Sequence, residues 1–423
     1  MLNLINRAHV DDDRSPGCGP METRADVGSV STKQQVFEAI RAQGHVSRVD
    51  ISKYIGVSAG SVTSATAELI TAGLVRESTG QERDQDAGRG RPPVSLSVRA
   101  DSNFVIGVKL STPHHSAVVM DMAGGIRAEV ILPCSARRQG VDAICDFVDT
   151  LVTTALDRAS LSAGDVTMVG VGLPGFVDHE TGEVEWSPLL RDQGVPLRQA
   201  ITARMNMPVE LDNDANLLTL AELWFGAGRS MRDFAVVTIE HGVGMGLVIN
   251  NQLYRGAQGM GMELGHTKVQ LDGALCRCGQ RGCLEAYVAD YALAREASTA
   301  LNMETDDDGT TTVMNMLLEQ ANDGNEAAQS IFRRAGRYLA LGLANVVNMF
   351  DPSLIILSGD RMRYDYLYAQ EVVSDMIAMT PNTRVGKTRI EAHQWGDLVW
   401  AKGAAALALS ATTDRLFAAG HTE

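Results

Sequence analysis

The chain has 423 residues, 45% of them hydrophobic and 21% charged, and a formal net charge of −15. That length provides for two or three domains and a sizeable core, and the composition is globular rather than low-complexity or fibrous. The acidic balance, taken alone, argues against nucleic acid as a partner.

Its distribution says more than its sum. Residues 31–99 carry nine Lys or Arg against seven Asp or Glu, whereas residues 100–423 carry 25 against 40. A small, mildly basic module joined to a large acidic one is the asymmetry of a DNA-binding head on a body with another task. The six cysteines do not form a disulfide framework, and Asp11, Asp12 and Asp13 stand where an export signal would be apolar. No apolar run approaches the roughly 20 residues that cross a bilayer, so a cytoplasmic protein without membrane contact is expected.

Residues 1–30, rich in Asp, Gly, Pro, Ser and Arg without periodicity, read as a disordered leader, and Met21 is an alternative start within it. Ser31 then caps a helix with Val36, Phe37 and Ile40 at helical spacing. Ser47-Arg48-Val49-Asp50 has the form of a capping box opening a short helix that ends at Gly56. Ser58 opens a third, with Val62, Ala65, Leu69 and Ile70 on one face and Gly73 as its stop. Three helices joined by a short Gly-containing turn form a helix-turn-helix.

Leu74–Glu77 and Val94–Val98 read as strands around a Gly-rich charged loop from Ser78 to Arg91, which makes a wing. Residues 31–99 are therefore expected to be a winged helix-turn-helix domain. Its third helix would present Ser58, Ser61, Thr63, Ser64 and Ala67 to bases or phosphates, and Arg89 and Arg91 would reach phosphates or the minor groove. The third helix carries no Arg or Lys before Gly73, which removes bidentate guanine contacts from it. A three-helix protein-interaction module is the plainer alternative.

In the body, residues 100–423, Phe104–Leu110, Ser116–Met122 and Ala128–Leu132 give one trio of short apolar strands. Phe234–Ile239, Met245–Ile249 and Gln252–Tyr254 give another, each trio being followed by helical sequence. The duplication predicts two lobes of mixed sheet with ligand held at their junction. Between the second trio and the end lie Cys276, Cys278 and Cys283, three thiols within eight residues, with His266 ten residues ahead. Three thiols and an imidazole make a closed tetrahedral set for one structural Zn2+ per chain, with no open position for catalysis. Gly279 and Gly282 let the backbone turn tightly enough for the sulfurs to converge.

These segments carry a family resemblance: Gly90-Arg91-Pro92 after the wing, Gly172-Leu173-Pro174-Gly175-Phe176-Val177-Asp178, Asp212-Asn213-Asp214-Ala215-Asn216, Glu263-Leu264-Gly265-His266 and the cysteine cluster. From about Ser31 to the C-terminus the chain resembles transcriptional regulators of the ROK family (repressors, open reading frames and sugar kinases). The resemblance implies an α/β fold, with a winged helix-turn-helix ahead of a two-lobed, actin-like and sugar-kinase-like body of the ribonuclease H-like type. It implies a sugar held by Gly175, Asn213, Asp214, Glu263, His266 and Glu285, with His266 also on zinc.

It further implies a sugar or sugar-phosphate effector, palindromic operator DNA, and a homodimer or dimer of dimers. Family kinases carry an Asp-x-Gly-Gly-Thr turn where this chain has Lys109-Leu110-Ser111-Thr112-Pro113, and Gly-Thr-Gly where it has Glu240-His241-Gly242. With Lys109, Pro113, Glu240 and His241 in the nucleotide cradle no catalytic role is expected, although Asp214 matches the kinase base. The expected function is a DNA-binding repressor of carbohydrate genes modulated by a sugar. The alternative is an ATP-dependent sugar kinase with a regulatory head.

Overall fold

The first strand, β1 (Ile5–His9), falls in the leader expected to be disordered. In the computed structural model, which describes residues 5–9, 17–21, 30–78, 94–134, 138–301, 310–359, 370–381 and 387–418, it pairs in parallel with Arg389–Gln394, Ile5 facing Ile390. A sheet edge offers unpaired N–H and C=O groups that an extended segment satisfies whatever its side-chain pattern, so the leader's lack of periodicity was no guide. A second leader stretch is also fixed. Cys18, Gly19 and Met21 donate their amides to Arg41 O (3.1 Å), Trp224 O (2.9 Å) and Arg229 O (2.7 Å). Cys18 is buried, which pushes its thiol up to about 11.

The head follows the sequence closely. Helices α1 (Thr32–Gln43), α2 (Arg48–Ile55) and α3 (Ala59–Thr71) start at Ser31, Ser47 and Ser58, each hydroxyl accepting an amide of the first turn. Between α1 and α2 lies the short β2 (Val46–Ser47), which pairs with β4 (Ser95–Val98), and β4 pairs antiparallel with β3 (Val75–Ser78). Val36, Phe37, Ile40, Ile51, Val62, Leu69 and Leu96 are buried between helices and sheet. The wing loop, with Arg89 and Arg91, lies outside the described residues.

The N-terminal lobe comprises β5 (Phe104–Lys109), β6 (His114–Asp121), β7 (Ile126–Pro133), α4 (Val141–Ala159), β8 (Val166–Leu173), the ribbon β9 (Phe176–Asp178) with β10 (Glu183–Trp186), α5 (Leu197–Met205) and β11 (Val209–Asn213). Its main sheet runs β11-β8-β5-β6-β7. Helix α6 (Asp214–Phe225) leads to the C-terminal lobe, with β12 (Phe234–Ile239), β13 (Val243–Ile249), β14 (Gln252–Tyr254), α7 (Glu285–Val288), α8 (Asp290–Leu301), α9 (Thr310–Asn322), α10 (Glu326–Phe350), β15 (Leu354–Ser358), α11 (Gln370–Ala378), β16 (Arg389–Gln394) and α12 (Val399–Ala418). There the order is β1-β16-β15-β12-β13-β14. Each lobe begins with the three-strand meander expected from the sequence.

Helices α6 and α12 fill the layer between the sheets, and small residues bring backbone against backbone. A Cβ on Gly107 would lie 2.0 Å from Ala401 O, one on Gly170 2.0 Å from Ala404 O, and one on Gly403 1.9 Å from Leu217 O. The head shares this core: Phe37, Ile40 and Leu69 belong to one buried cluster with Leu220, Trp224, Leu407 and Phe417.

Candidate functional site

The chain doubles back at Lys268–Cys283 and Leu275–Arg281 in isolated antiparallel bridges, so the segment between folds over itself. Gly279 takes φ +86° and Gly282 φ +77°, and a Cβ on Gly282 would lie 1.8 Å from Gln270 O. No other residue fits that turn.

The reversal gathers His266, Cys276, Cys278 and Cys283, whose donor atoms all lie within 4.8 Å of one another. Cys278 and Cys283 sulfurs are 3.7 Å apart, and Cys276 Sγ is 3.8 Å from His266 Nδ1. A tetrahedron with metal–sulfur bonds of about 2.3 Å has sulfur–sulfur edges of about 3.8 Å, so the group fits one ion. Lys268 Nζ stands 3.0 Å from Cys283 Sγ and the Tyr291 hydroxyl 3.5 Å from Cys276 Sγ, both donors suited to thiolates.

Of the polar residues implied for sugar binding, Glu285 touches both this cluster and the start of β13, with Cys276 Sγ 3.5 Å from its Oε1, and Glu263 and Asp214 lie near enough for their charges to act on one another. Glu285 Oε2 accepts the Val243 amide at 3.4 Å. Gly265 packs so tightly that a Cβ there would lie 2.2 Å from Val243 O, which brings in the turn from Glu263 to His266. A Cβ on Gly244 would lie 2.9 Å from the Ala215 Cβ, which brings in Asp214. Burial raises the Asp214 carboxyl, with Lys109 pulling the other way. Glu263 is pushed up to about 7 by burial and then by the charges of Asp214 and Glu285.

Asn213 caps α6 by accepting the Asn216 amide at 2.8 Å. Gly175, at φ +129°, would drive a Cβ to 2.1 Å from Trp186 O. Only glycine allows that reversal, which delivers Phe176 of the N-terminal lobe edge-on to His266 of the C-terminal lobe, ring centres 5.8 Å apart.

At the two turns compared with kinase phosphate loops, the cradles hold their own side chains. Lys109 Nζ sits 3.2 Å over the centre of the buried Trp400 ring. The Ser111 amide donates to His115 Nδ1 at 3.1 Å, and Ser111 Oγ donates to His114 O at 2.6 Å. On the opposite lobe, His241 Nδ1 is 3.1 Å from Asp290 Oδ2. The side chain of Glu240 lies against Gly359. Trp400, His115, Asp290 and Phe176 were not singled out from the sequence. Only Phe176 carried a signal, since it directly follows Gly175.

On the head, Ser58, Ser61, Thr63 and Ser64 are all exposed on α3. Ser58 and Ser61 hydroxyls are 2.9 Å apart, and Thr63 Oγ1 donates to Ala59 O at 2.8 Å. The head is bolted to the end of α6 away from Asp214. Arg41 donates to Thr413 Oγ1 at 2.7 Å with its guanidinium 4.5 Å over the Trp224 ring, and Gln34 donates to Asp414 Oδ1 at 2.9 Å. Arg229 binds Gly19 O at 3.0 Å and Ala42 O at 2.5 Å. A cavity of about 310 Å³ lies at this joint, bordered by Tyr54, Ile55, Leu220, Trp224, Leu253 and Asp414.

A winged helix-turn-helix on a two-lobed, sugar-kinase-like body marks a class of protein in which a DNA-reading module rides on a kinase-type fold. The chain belongs to the ROK family, whose model matches residues 105–411. It is similar to the xylose repressor of Caldicellulosiruptor bescii, 28% identical over 349 residues covering 80% of this chain and 86% of that protein. It is equally similar to the DNA-binding transcriptional dual regulator NagC of Escherichia coli, 28% identical over 354 residues covering 80% and 83%.

Among solved structures, a ROK family transcriptional regulator described as a homolog of the E. coli MLC protein matches 92% of this chain and 97% of its own, with TM-score 0.75 at 23% identity. The ROK hexokinase from Thermus thermophilus matches 74% of this chain and 99% of its own, with TM-score 0.62 at 26% identity.

Proposed function

We propose that this chain is a sugar-responsive, DNA-binding transcriptional repressor of carbohydrate-metabolism genes. The observation that carries the reading is one helix. α6 begins at Asp214 among the carboxylates and runs to Phe225, with Trp224 beneath the head and every residue from Ala215 to Trp224 buried. Its twelve residues span about 18 Å. A shift at one end is thereby delivered to the other.

The sugar is held by Gly175, Asn213, Asp214, Glu263, His266 and Glu285, carboxylates and an amide accepting from vicinal hydroxyls. His266, Cys276, Cys278 and Cys283 hold the metal, and zinc is the ion such a donor set selects. Bound there, zinc clips the loop and orients His266 toward the sugar. α3 enters the major groove through Ser58, Ser61, Thr63 and Ser64, with Arg89 and Arg91 on the wing at the backbone. In a homodimer the two heads occupy the halves of a palindromic operator about one DNA turn, or a multiple of it, apart. Sugar binding alters the lobe angle and with it the spacing. A coupling of 1–3 kcal/mol gives about 5- to 150-fold weaker operator binding.

Phosphoryl transfer is disfavoured by the nucleotide turns. Lys109 is a cation where magnesium would sit, Pro113 lacks an amide hydrogen, and Glu240 sets a carboxylate against phosphate oxygens. Like charges at about 4 Å repel by about 4 kcal/mol at an effective dielectric near 20. A sugar kinase with a regulatory head is the second reading, favoured by Asp214 standing at the kinase base position.

Operator binding by the zinc-loaded full chain, titrated with a sugar panel in a gel-shift assay, tests the proposal. Sugar-dependent release is expected, and affinity indifferent to every sugar overturns it. Sugar-dependent ATP consumption above background establishes the kinase reading instead.

A further inference from the structure

A helix leaves its last four carbonyls without partners of its own, and buried ones must find donors elsewhere. Helix α1 of the head settles two of them locally, the Gly44 amide donating to Ile40 O at 2.9 Å and the His45 amide to Gln43 O at 2.8 Å. The other two are met from outside the head. Cys18 donates its amide to Arg41 O at 3.1 Å, and Arg229 donates a guanidinium N–H to Ala42 O at 2.5 Å.

The same short stretch closes α6. Gly19 donates its amide to Trp224 O at 2.9 Å, so adjacent amides of the leader serve the C-terminal ends of a head helix and a body helix. Gly19 makes the turn between them at φ +96°, where a side chain would be strained. Arg229 completes the circuit, with Nε donating to Gly19 O at 3.0 Å and its own carbonyl accepting the Met21 amide at 2.7 Å.

The stretch is also wedged in place. A Cβ on Gly17 would lie 2.3 Å from Arg41 O and 2.6 Å from Ala42 O. Cys18 is 3% exposed, and a Cβ on Gly124, in the turn between β6 and β7, would lie 2.6 Å from its Sγ. The head, α6 and the N-terminal lobe thus meet on residues 17–21. Earlier in the leader, β1 lies on β16, which itself holds Glu222 of α6 through His393 at 2.7 Å.

Resting on the function proposed above, we propose that residues 17–21 are a cap shared by α1 and α6, and that this cap makes the head answer to the body. With it in place, a displacement of α6 pulls on the end of α1 through one backbone segment. Without it, Arg41 O and Trp224 O lose their donors and the joint loosens.

Gly17→Val tests this, because valine cannot fit against Arg41 O and expels the segment while α1, α6 and the body keep their sequence. N-ethylmaleimide labelling of Cys18 in the zinc-loaded full chain, read by peptide mass mapping, should be slow in the parent and at least about ten-fold faster in Gly17→Val. A chain begun at Met21 is the second variant. In both variants, the sugar that releases the parent from operator should change operator affinity by less than about two-fold, with sugar affinity itself within a few-fold of the parent. Equal Cys18 labelling in the parent and Gly17→Val overturns the inference, as does a full sugar response in the chain begun at Met21. A parent that no sugar releases overturns the proposed function instead, and the labelling comparison then decides the cap alone.

Discussion

Arg41→Ala separates ligand binding from its transmission. Arg41 is buried to 4% exposure at the joint of head and body. It donates to Thr413 Oγ1 at 2.7 Å and covers Trp224 at 4.5 Å. A hydrogen bond from a charged donor contributes about 1.5–3 kcal/mol, and a desolvated cation–π contact up to about 2. Removal should therefore weaken head docking by about 3 kcal/mol, or roughly 100-fold in the docked population. That is the full size of an ordinary allosteric coupling, so its loss is enough to erase one.

The exposed face of α3 and the carboxylate site are both untouched by this change. Fluorescence anisotropy with labelled operator should show DNA affinity within a few-fold of the parent, and calorimetry should show unchanged sugar affinity. The sugar-induced change in operator affinity should fall toward one. A variant that releases DNA on sugar as the parent does refutes the role assigned to the joint.

Other perturbations test separate parts of the structure. Cys278→Ser should abolish stoichiometric metal and sugar binding together while the head keeps its helices; atomic absorption still reading one metal per chain would disprove the ligand set. Gly107→Val should prevent soluble folding or cost more than about 4 kcal/mol, because the first added carbon already lies 2.0 Å from Ala401 O; a normal denaturation midpoint would contradict that packing.

His393 lies with Nδ1 2.7 Å from Glu222 Oε1 and Nε2 3.2 Å from Glu391 Oε2. Burial lowers its pKa, but the two glutamates outweigh burial and the net shift is upward from 6.5. Its contribution to stability is therefore full below pH 6.5 and lost as pH rises through the raised folded-state value. His393→Gln should flatten the fall in melting temperature across that window, and parallel curves for variant and parent would exclude the assignment.

What was legible in the sequence was local. Ser31, Ser47 and Ser58 announced three helices because a cap needs only an amide three residues on. The Cys276–Cys283 cluster announced itself because tight chelation needs ligands close in sequence. The two strand trios were readable as short apolar runs, because β5, β6, β12 and β13 are buried along almost their whole length.

What was hidden depended on distant partners. β1 acquires its structure from Arg389–Gln394, almost the whole chain away. Lys109 reads as an isolated cation until Trp400 arrives from the last helix. Glu222 reads as a helix-surface acid until His393 and Trp395 both meet its Oε1 at 2.7 Å. Trp224 reads as ordinary core until the head's Arg41 lies over it.

These distant partners share a location. Trp224 and Glu222 stand two residues apart near the end of α6, so the helix that starts at Asp214 terminates in contacts to the head through Arg41 and to β16 through His393. β16 in turn carries the leader strand β1, and the leader returns at Gly19 to the Trp224 carbonyl. α6 is packed on β13 on one side and against α12 on the other, with Gly246 admitting only the Thr219 side chain and Gly403 the Leu217 backbone. A helix so confined moves as a unit or not at all, because close-packed interfaces are bistable rather than compliant. A small displacement at Asp214 is therefore not absorbed along α6. In the function proposed above, it reaches the head, the leader and β16 together, which couples the sugar site at one end of α6 to the DNA-binding head at the other.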